Sequence, residues 1–209
     1  MIYNDERMCF AMTEKEKMLS GENYNPRSEQ LLKRRYEARA LIDRFNSIPS
    51  DANEERQEIL ESLLGSIEDG VWLEKPFRCN YGENITIGEN TFINCDCYFS
   101  DDNLITIGKN VMIAPRVQLY GTLHPVPASE RILDIPRSEH ADHLPYRVSS
   151  KPIVIEDECW LGGGCIVLPG VTIGKGSVIG AGSIVTKDIP PHSVAVGNPC
   201  RVIRTIEEE

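Results

Sequence analysis

The sequence predicts a mainly β chain, wound as a parallel β-helix of six-residue repeats behind an N-terminal α-helical segment. Three observations carry that prediction. Ile155, Leu161, Val167, Ile173, Ile179 and Val185 recur at every sixth position without a break. Two residues before each stands Ile153, Cys159, Cys165, Val171, Ser177 or Ser183, mostly small, and glycine follows at 162, 174 and 180. Upstream of residue 70 the apolar spacing is close to 3.6 instead.

The helical segment covers residues 13–69. Thr13 followed by Glu16 has the form of a capping box. Leu31, Leu32, Arg35, Tyr36, Ala38, Ala40, Leu41, Ile42 and Phe45 form a stripe at helical spacing. Pro26, Pro49 and Gly70 punctuate the segment. A second helix over about 53–67 places Ile59, Leu60, Leu63 and Leu64 on one face.

The coil is expected over 76–204, with an inserted loop at about 125–151. Its first block repeats through Ile87, Ile93 and Phe99, slips by two residues, and resumes at Ile107, Ile113 and Leu119. A six-residue period suits neither a helix nor a lone strand. It suits a triangular coil, with a short strand on each side and a Gly, Asn or Asp turn at each corner. Each aliphatic residue then points inward and stacks on its counterpart one coil away. No coil buries its face alone, so stacking supplies the core.

Composition narrows the function classes. Hydrophobic residues are 41% and aromatics only 7%, so the core rests on Ile, Val, Leu and small residues. No apolar run approaches the ~20 residues of a membrane span, and MIYNDERMCF lacks the apolar core of a signal peptide. The net charge of −10 argues against nucleic acid as a main partner. Between 175 and 204, however, Lys175, Lys187, Arg201 and Arg204 face only Asp188, so the end of the coil is locally positive. The seven cysteines contain no CxxC pair and read as reduced, mostly core residues, with the cytoplasm as the expected location.

Four stretches give a more specific reading. EKEKMLSGENYNP, RCNYGENITIGENTFINCDC, IGKNVMIAPRVQLYGTLHPV and GAGSIVTKDIPPHSVAVGNPCRVI resemble the maltose and galactoside O-acetyltransferase group of hexapeptide-repeat acyltransferases. The resemblance covers roughly residues 13–204. It implies a left-handed β-helix, acetyl-CoA as donor, a sugar hydroxyl as acceptor and no metal. It also implies a homotrimer with active sites between subunits, the N-terminal helices helping to form the acceptor pocket.

A sugar hydroxyl is a weak nucleophile, so its attack on a thioester needs a base. Histidine suits that task, and the chain has four. His124, in GTLHPV at the end of the first block, matches the group's general base. His140 and His143 lie in a polar, proline-flanked stretch and read as solvated loop residues; His192 follows two prolines at a turn. Asn94, in FINCDC, matches an active-site Asn of the group, although an Asn at a coil corner is the plainer reading. By the same resemblance Asp102, in the slip SDDN, contacts the sugar hydroxyls; a surface turn carboxylate is the alternative. Arg35 matches an acceptor-binding Arg, with a solvated basic face beside Lys33 and Arg34 as the alternative.

For the donor, the resemblance assigns Gly163, Ala181 and Thr186 to the coenzyme groove and Trp160 to its side. Lys187, Arg201 and Arg204 are candidates for the coenzyme phosphates, arginine pairing bidentately. The segment from His124 to Pro152 is longer than in galactoside-type members and reads PYRVSS where members often carry a Glu, which bears on acceptor identity. Three alternatives stay open: a zinc site using His124, His140 and His143, a non-catalytic scaffold, and acetylation of an amine or a non-sugar alcohol.

Overall fold

The computed structural model describes residues 11–139 and 141–207, so His140 and the stretch MIYNDERMCF lie outside the described residues. Helix α1 (Glu14–Ser20) opens with the expected capping box: Thr13 N–H donates to the Glu16 carboxylate at 2.7 Å, and Glu16 N–H to Thr13 Oγ1 at 3.2 Å. Helix α2 (Glu29–Ser47) buries Leu31, Ala38, Ile42 and Phe45, one face at helical spacing. Tyr36, counted in the sequence stripe, points outward instead and is exposed.

Helix α3 (Asn53–Leu63) ends before the expected residue 67. Ser66–Ile67 instead pairs in parallel with Thr86 and Ile87, so the coil starts at Ser66 and not at about residue 76. Gly65 makes the switch: a Cβ there would lie 2.3 Å from the Glu83 carbonyl oxygen, an approach only glycine permits.

The coil has three parallel faces. The first stacks Ser66–Ile67, Ile85–Ile87, Ile105–Ile107, Ile153–Ile155 and Thr172–Ile173. The second stacks Trp72–Leu73, Phe92–Ile93, Met112–Ile113, Trp160–Leu161, Val178–Ile179 and Ser193–Gly197, and the antiparallel Cys200–Thr205 closes it. The third stacks Phe77–Cys79, Cys97–Ser100, Gln118–Tyr120, Ile166–Val167 and Ile184–Val185. Inward residues form continuous buried ladders, such as Ile87, Ile107, Ile155 and Ile173, or Cys79, Phe99, Leu119, Val167 and Val185.

The second block stacks at eighteen residues, as Leu161 on Ile179 and Val167 on Val185. The first block stacks at twenty, as Ile93 on Ile113 and Phe99 on Leu119. The two extra residues widen the corner between the third and first faces, where NYGEN and SDDN lie one above the other. Other corners are tight. Asn90, Asp96 and Asn110 take the left-handed conformation expected there, but so do Arg116, Glu158 and the half-buried His192.

Candidate active site

The widened corner holds a buried polar network. Asp102 is only 2% exposed, which removes the surface-carboxylate alternative. Its Oδ1 accepts from Tyr24 Oη at 2.9 Å and lies 3.6 Å from Arg35 Nη2. Its Oδ2 accepts from Asn80 Nδ2 at 2.6 Å, Ser100 Oγ at 2.8 Å and Thr122 Oγ1 at 2.6 Å. A carboxylate offers about four acceptor positions, so this one is fully engaged. A sugar hydroxyl reaches Asp102 only by displacing one of these donors. Arg35 is held likewise: Nη2 donates to Tyr81 Oη at 3.1 Å, and the guanidinium lies 5.1 Å from the Tyr81 ring centre.

Asp101, beside it, is completely buried. One oxygen accepts the N–H groups of Asn80 (2.8 Å) and Tyr81 (2.9 Å); the other has no partner among the described residues. Burial pushes the Asp101 carboxyl up to about 6, opposed by those two N–H groups and reinforced by Asp102. The folded chain therefore keeps this proton to higher pH than the unfolded chain, whose carboxyl loses it near 4. Stability from this site is present below about pH 4 and is lost as pH rises to about 6. In urea unfolding measured from pH 4 to 7, the unfolding free energy of wild type is expected to fall relative to Asp101→Asn, by up to about 3 kcal/mol. Parallel profiles would contradict the assignment.

Thr122 leads directly to His124. After the third face the chain forms a short antiparallel pair, Thr122–Leu123 with Ser149–Ser150, and His124 is the next residue. Its ring is exposed, and Nδ1 lies 2.6 Å from the Arg147 carbonyl oxygen. A carbonyl only accepts, so Nδ1 carries the proton and, in the neutral ring, Nε2 keeps its lone pair. The ring lines a polar cleft of about 580 Å³ with Glu22 and Asn23, just past α1, and Glu130 of helix α4 (Ala128–Arg131). The other described histidines lie elsewhere: His143 is exposed on the inserted segment, and His192 sits at a corner of the last coil.

The donor-side residues occupy a different edge. At the corner between the second and third faces, Arg116 N–H donates to Cys95, Gly164 N–H to Pro115 and Gly182 N–H to Gly163, each to the carbonyl one coil below. This aligns Asn94, Gly163 and Ala181 along one corner. A Cβ added at Gly164 or Gly182 would meet nothing within 4 Å, so this corner faces open space. Asn94 Oδ1 accepts the Cys95 N–H at 2.8 Å. Trp160 points outward from the second face and is 49% exposed. Thr186 and Lys187 lie at the corner between the third and first faces, the corner of Asp102. Arg201 and Arg204 are exposed on the closing strand.

One chain therefore joins Arg35, Asp102 and His124 through Thr122, and separately joins Asn94, Gly163 and Ala181. It does not bring Asn94 into the His124 cleft. Sequence reasoning missed Asp101, Tyr24, Tyr81 and the Arg147 carbonyl. The slip SDDN was a usable signal for Asp101; a backbone carbonyl leaves none.

Comparison with known proteins agrees with this architecture. Residues 17–68 match the maltose acetyltransferase hexapeptide capping motif, and residues 152–187 match the hexapeptide repeat of succinyl-transferase. The structure of a maltose O-acetyltransferase from Clostridium difficile 630 is similar at a TM-score of 0.85 and 49% identity, covering 95% of this chain and 100% of that one. A galactoside acetyltransferase in complex with coenzyme A gives 0.84 and 37%, over 94% and 92% of the chains. A hexapeptide-repeat acetyltransferase from Vibrio cholerae, complexed with acetyl coenzyme A, gives 0.82 and 34%, over 94% and 100%.

Proposed function

The chain belongs to the maltose and galactoside acetyltransferase group of hexapeptide-repeat acetyltransferases, and we propose that it moves acetyl from acetyl-CoA to a sugar hydroxyl with His124 as general base. The observation that carries this reading is the Nδ1–H bond to Arg147, which leaves Nε2 as the basic atom of a ring that lines an open, polar cleft.

The residues present fit the donor. The glycine-lined corner of Gly163 and Ala181 gives an extended amide chain access to backbone groups. Thr186 and Lys187, across the third face at the next corner, and Trp160, on the second face, are assigned to the rest of the donor surface. Among the described residues neither Lys187 nor Arg204 pairs with a carboxylate, and Arg201 bonds only the Cys200 carbonyl, so all three cations suit phosphates. Bound there, acetyl-CoA supplies an activated acyl group with a thiolate leaving group. His124 Nε2 takes the proton of the acceptor hydroxyl as its oxygen attacks, and later returns a proton to the leaving sulfur. Asn94 supplies an amide for the negative charge that develops on the carbonyl oxygen. Arg35 and Asp102 hold the acceptor wall, Asp102 acting through Thr122 and Tyr24 unless a hydroxyl displaces one of its donors.

No acyl-enzyme is required. Burial pushes the thiols of Cys97 and Cys159 up to about 11, and those of Cys79, Cys165 and Cys200 upward as well, away from thiolate chemistry. Among the described residues Cys95, half-buried beside Asn94, is the remaining one to test; Cys9 lies outside them. Cys95→Ser is expected to keep kcat within about threefold, because nucleophilic attack is assigned to the acceptor oxygen itself; loss of transfer would point to an acyl-enzyme.

A second copy completes the site. His124 and Asn94 stand at different corners of one coil. Along the second face Trp72, Phe92, Met112 and Trp160 form an outward row in register, three of them exposed. Such a row marks an interface, and we assign it to a homotrimer whose sites lie between neighbours. Sedimentation is expected to give three copies of the 23.5 kDa chain, about 70 kDa. We place the reaction in the cytoplasm; no helix among the described residues is long and apolar enough to cross a membrane.

The reaction is tested by mixing purified protein with radiolabelled acetyl-CoA and glucose, maltose, galactosides or glucosamine, then identifying the labelled product. A base-labile O-acetyl sugar is the expected result. Label only on the glucosamine nitrogen would move the assignment to amine transfer.

A further inference from the structure

The geometry points to Asp101 as a positioning residue for the acceptor: its buried carboxylate fixes the two residues whose side chains hold Asp102 and Arg35. This rests on the sugar-acceptor reading above, in which Arg35 and Asp102 form the acceptor wall. No step of the transfer uses Asp101 directly, and its completely buried side chain touches no acceptor.

Asn80 and Tyr81 follow the strand Phe77–Cys79 and begin the widened corner NYGEN. One coil further on, Asp101 Oδ1 accepts the N–H of Asn80 at 2.8 Å and the N–H of Tyr81 at 2.9 Å. Two successive N–H groups on one charged oxygen fix both peptide units, and with them the direction in which each side chain leaves the backbone. Those side chains divide the wall between them. Asn80 Nδ2 donates to Asp102 Oδ2 at 2.6 Å, while its Oδ1 accepts from Tyr98 Oη at 3.0 Å. Tyr81 Oη accepts from Arg35 Nη2 at 3.1 Å, and its ring centre lies 5.1 Å from the guanidinium. Asp101 thus reaches both members of the wall through a single dipeptide.

The corner has other ties, which separate positioning from folding. The Asp101 carbonyl accepts from Asn84 Nδ2 at 2.8 Å, and the Gly82 carbonyl accepts the N–H groups of Gly65 at 3.3 Å and Ile85 at 2.9 Å. None of these needs the Asp101 carboxylate. Its removal leaves two N–H groups without their acceptor, and Asn80 and Tyr81 no longer aim at Asp102 and Arg35.

The test uses the full chain. Binding of maltose and of methyl galactoside to protein loaded with coenzyme A is measured by calorimetry, beside the steady-state constants for transfer. Asp101→Leu is expected to raise KM and Kd for the sugars about tenfold or more. Its kcat should stay within about threefold of wild type and its coenzyme A affinity should not change. Asp101→Asn keeps an oxygen for the two N–H groups and is expected to return the sugar constants to within about twofold of wild type. Should Asp101→Leu not fold, Asp101→Ser replaces it; its hydroxyl is one bond too short to serve both N–H groups, and the same rise is expected. Wild-type sugar constants in these variants, a rise that Asp101→Asn does not reverse, or a fall in kcat alone would overturn the positioning role and leave the proposed reaction standing. A reversible rise in sugar Kd, in protein that binds sugars without acetylating them, would keep the positioning role and overturn sugar acetylation. Absence of sugar binding by wild type would overturn both.

Discussion

Replacing His124 by alanine is expected to lower kcat by 10²–10⁴-fold, roughly 3–5 kcal/mol in the barrier. The ring is exposed, and among the described contacts its one hydrogen bond is to the Arg147 carbonyl, so its removal leaves the stacked core untouched. The affinity for coenzyme A and the sedimentation of the assembly should therefore not change. A loss of less than tenfold would remove His124 as the base. A large loss accompanied by dissociation would give it a structural role instead.

Asp102→Ala is expected to cost about 3–5 kcal/mol of stability, the range for breaking one partner out of a buried charged network. The loss has several sources. Arg35 keeps its charge without the carboxylate 3.6 Å away. Tyr24, Asn80, Ser100 and Thr122 each lose an acceptor at 2.6–2.9 Å. Denaturant unfolding of Asp102→Ala, Arg35→Ala and the double variant measures this, with the double variant falling well short of the sum. Unchanged stability together with a large rise in acceptor KM would mean that Asp102 is a direct sugar contact and that its donors are dispensable.

The β-helix was legible because its constraint is local and repeated. One inward aliphatic per side, at 155, 161, 167, 173, 179 and 185, is enough to declare three stacked faces. The capping box at Thr13 and Glu16 was legible for the same reason. What depends on distant chain segments was not. Ser66–Ile67 is a two-residue strand whose pairing is set by Thr86 and Ile87, and it looks like the end of a helix when read alone. The slip SDDN announced a departure from the repeat, but the burial of Asp101 and the five groups around Asp102 come from α2, the segment after α1, and three successive coils. His124 was found from its motif, whereas the group that orients it is the backbone of Arg147, twenty-three residues away. The separation of Asn94 from His124 is a property of the corners, visible only once the faces are assigned.

The account turns on the protonation pattern that the fold imposes on His124. Long-range ¹⁵N–¹H correlation spectra of the histidine rings, with His124 assigned by its loss in His124→Ala, read that pattern directly at a pH where the ring is neutral. The predicted result is a proton on Nδ1 and a bare Nε2. A proton on Nε2 would leave no base toward the cleft and would contradict the proposed mechanism.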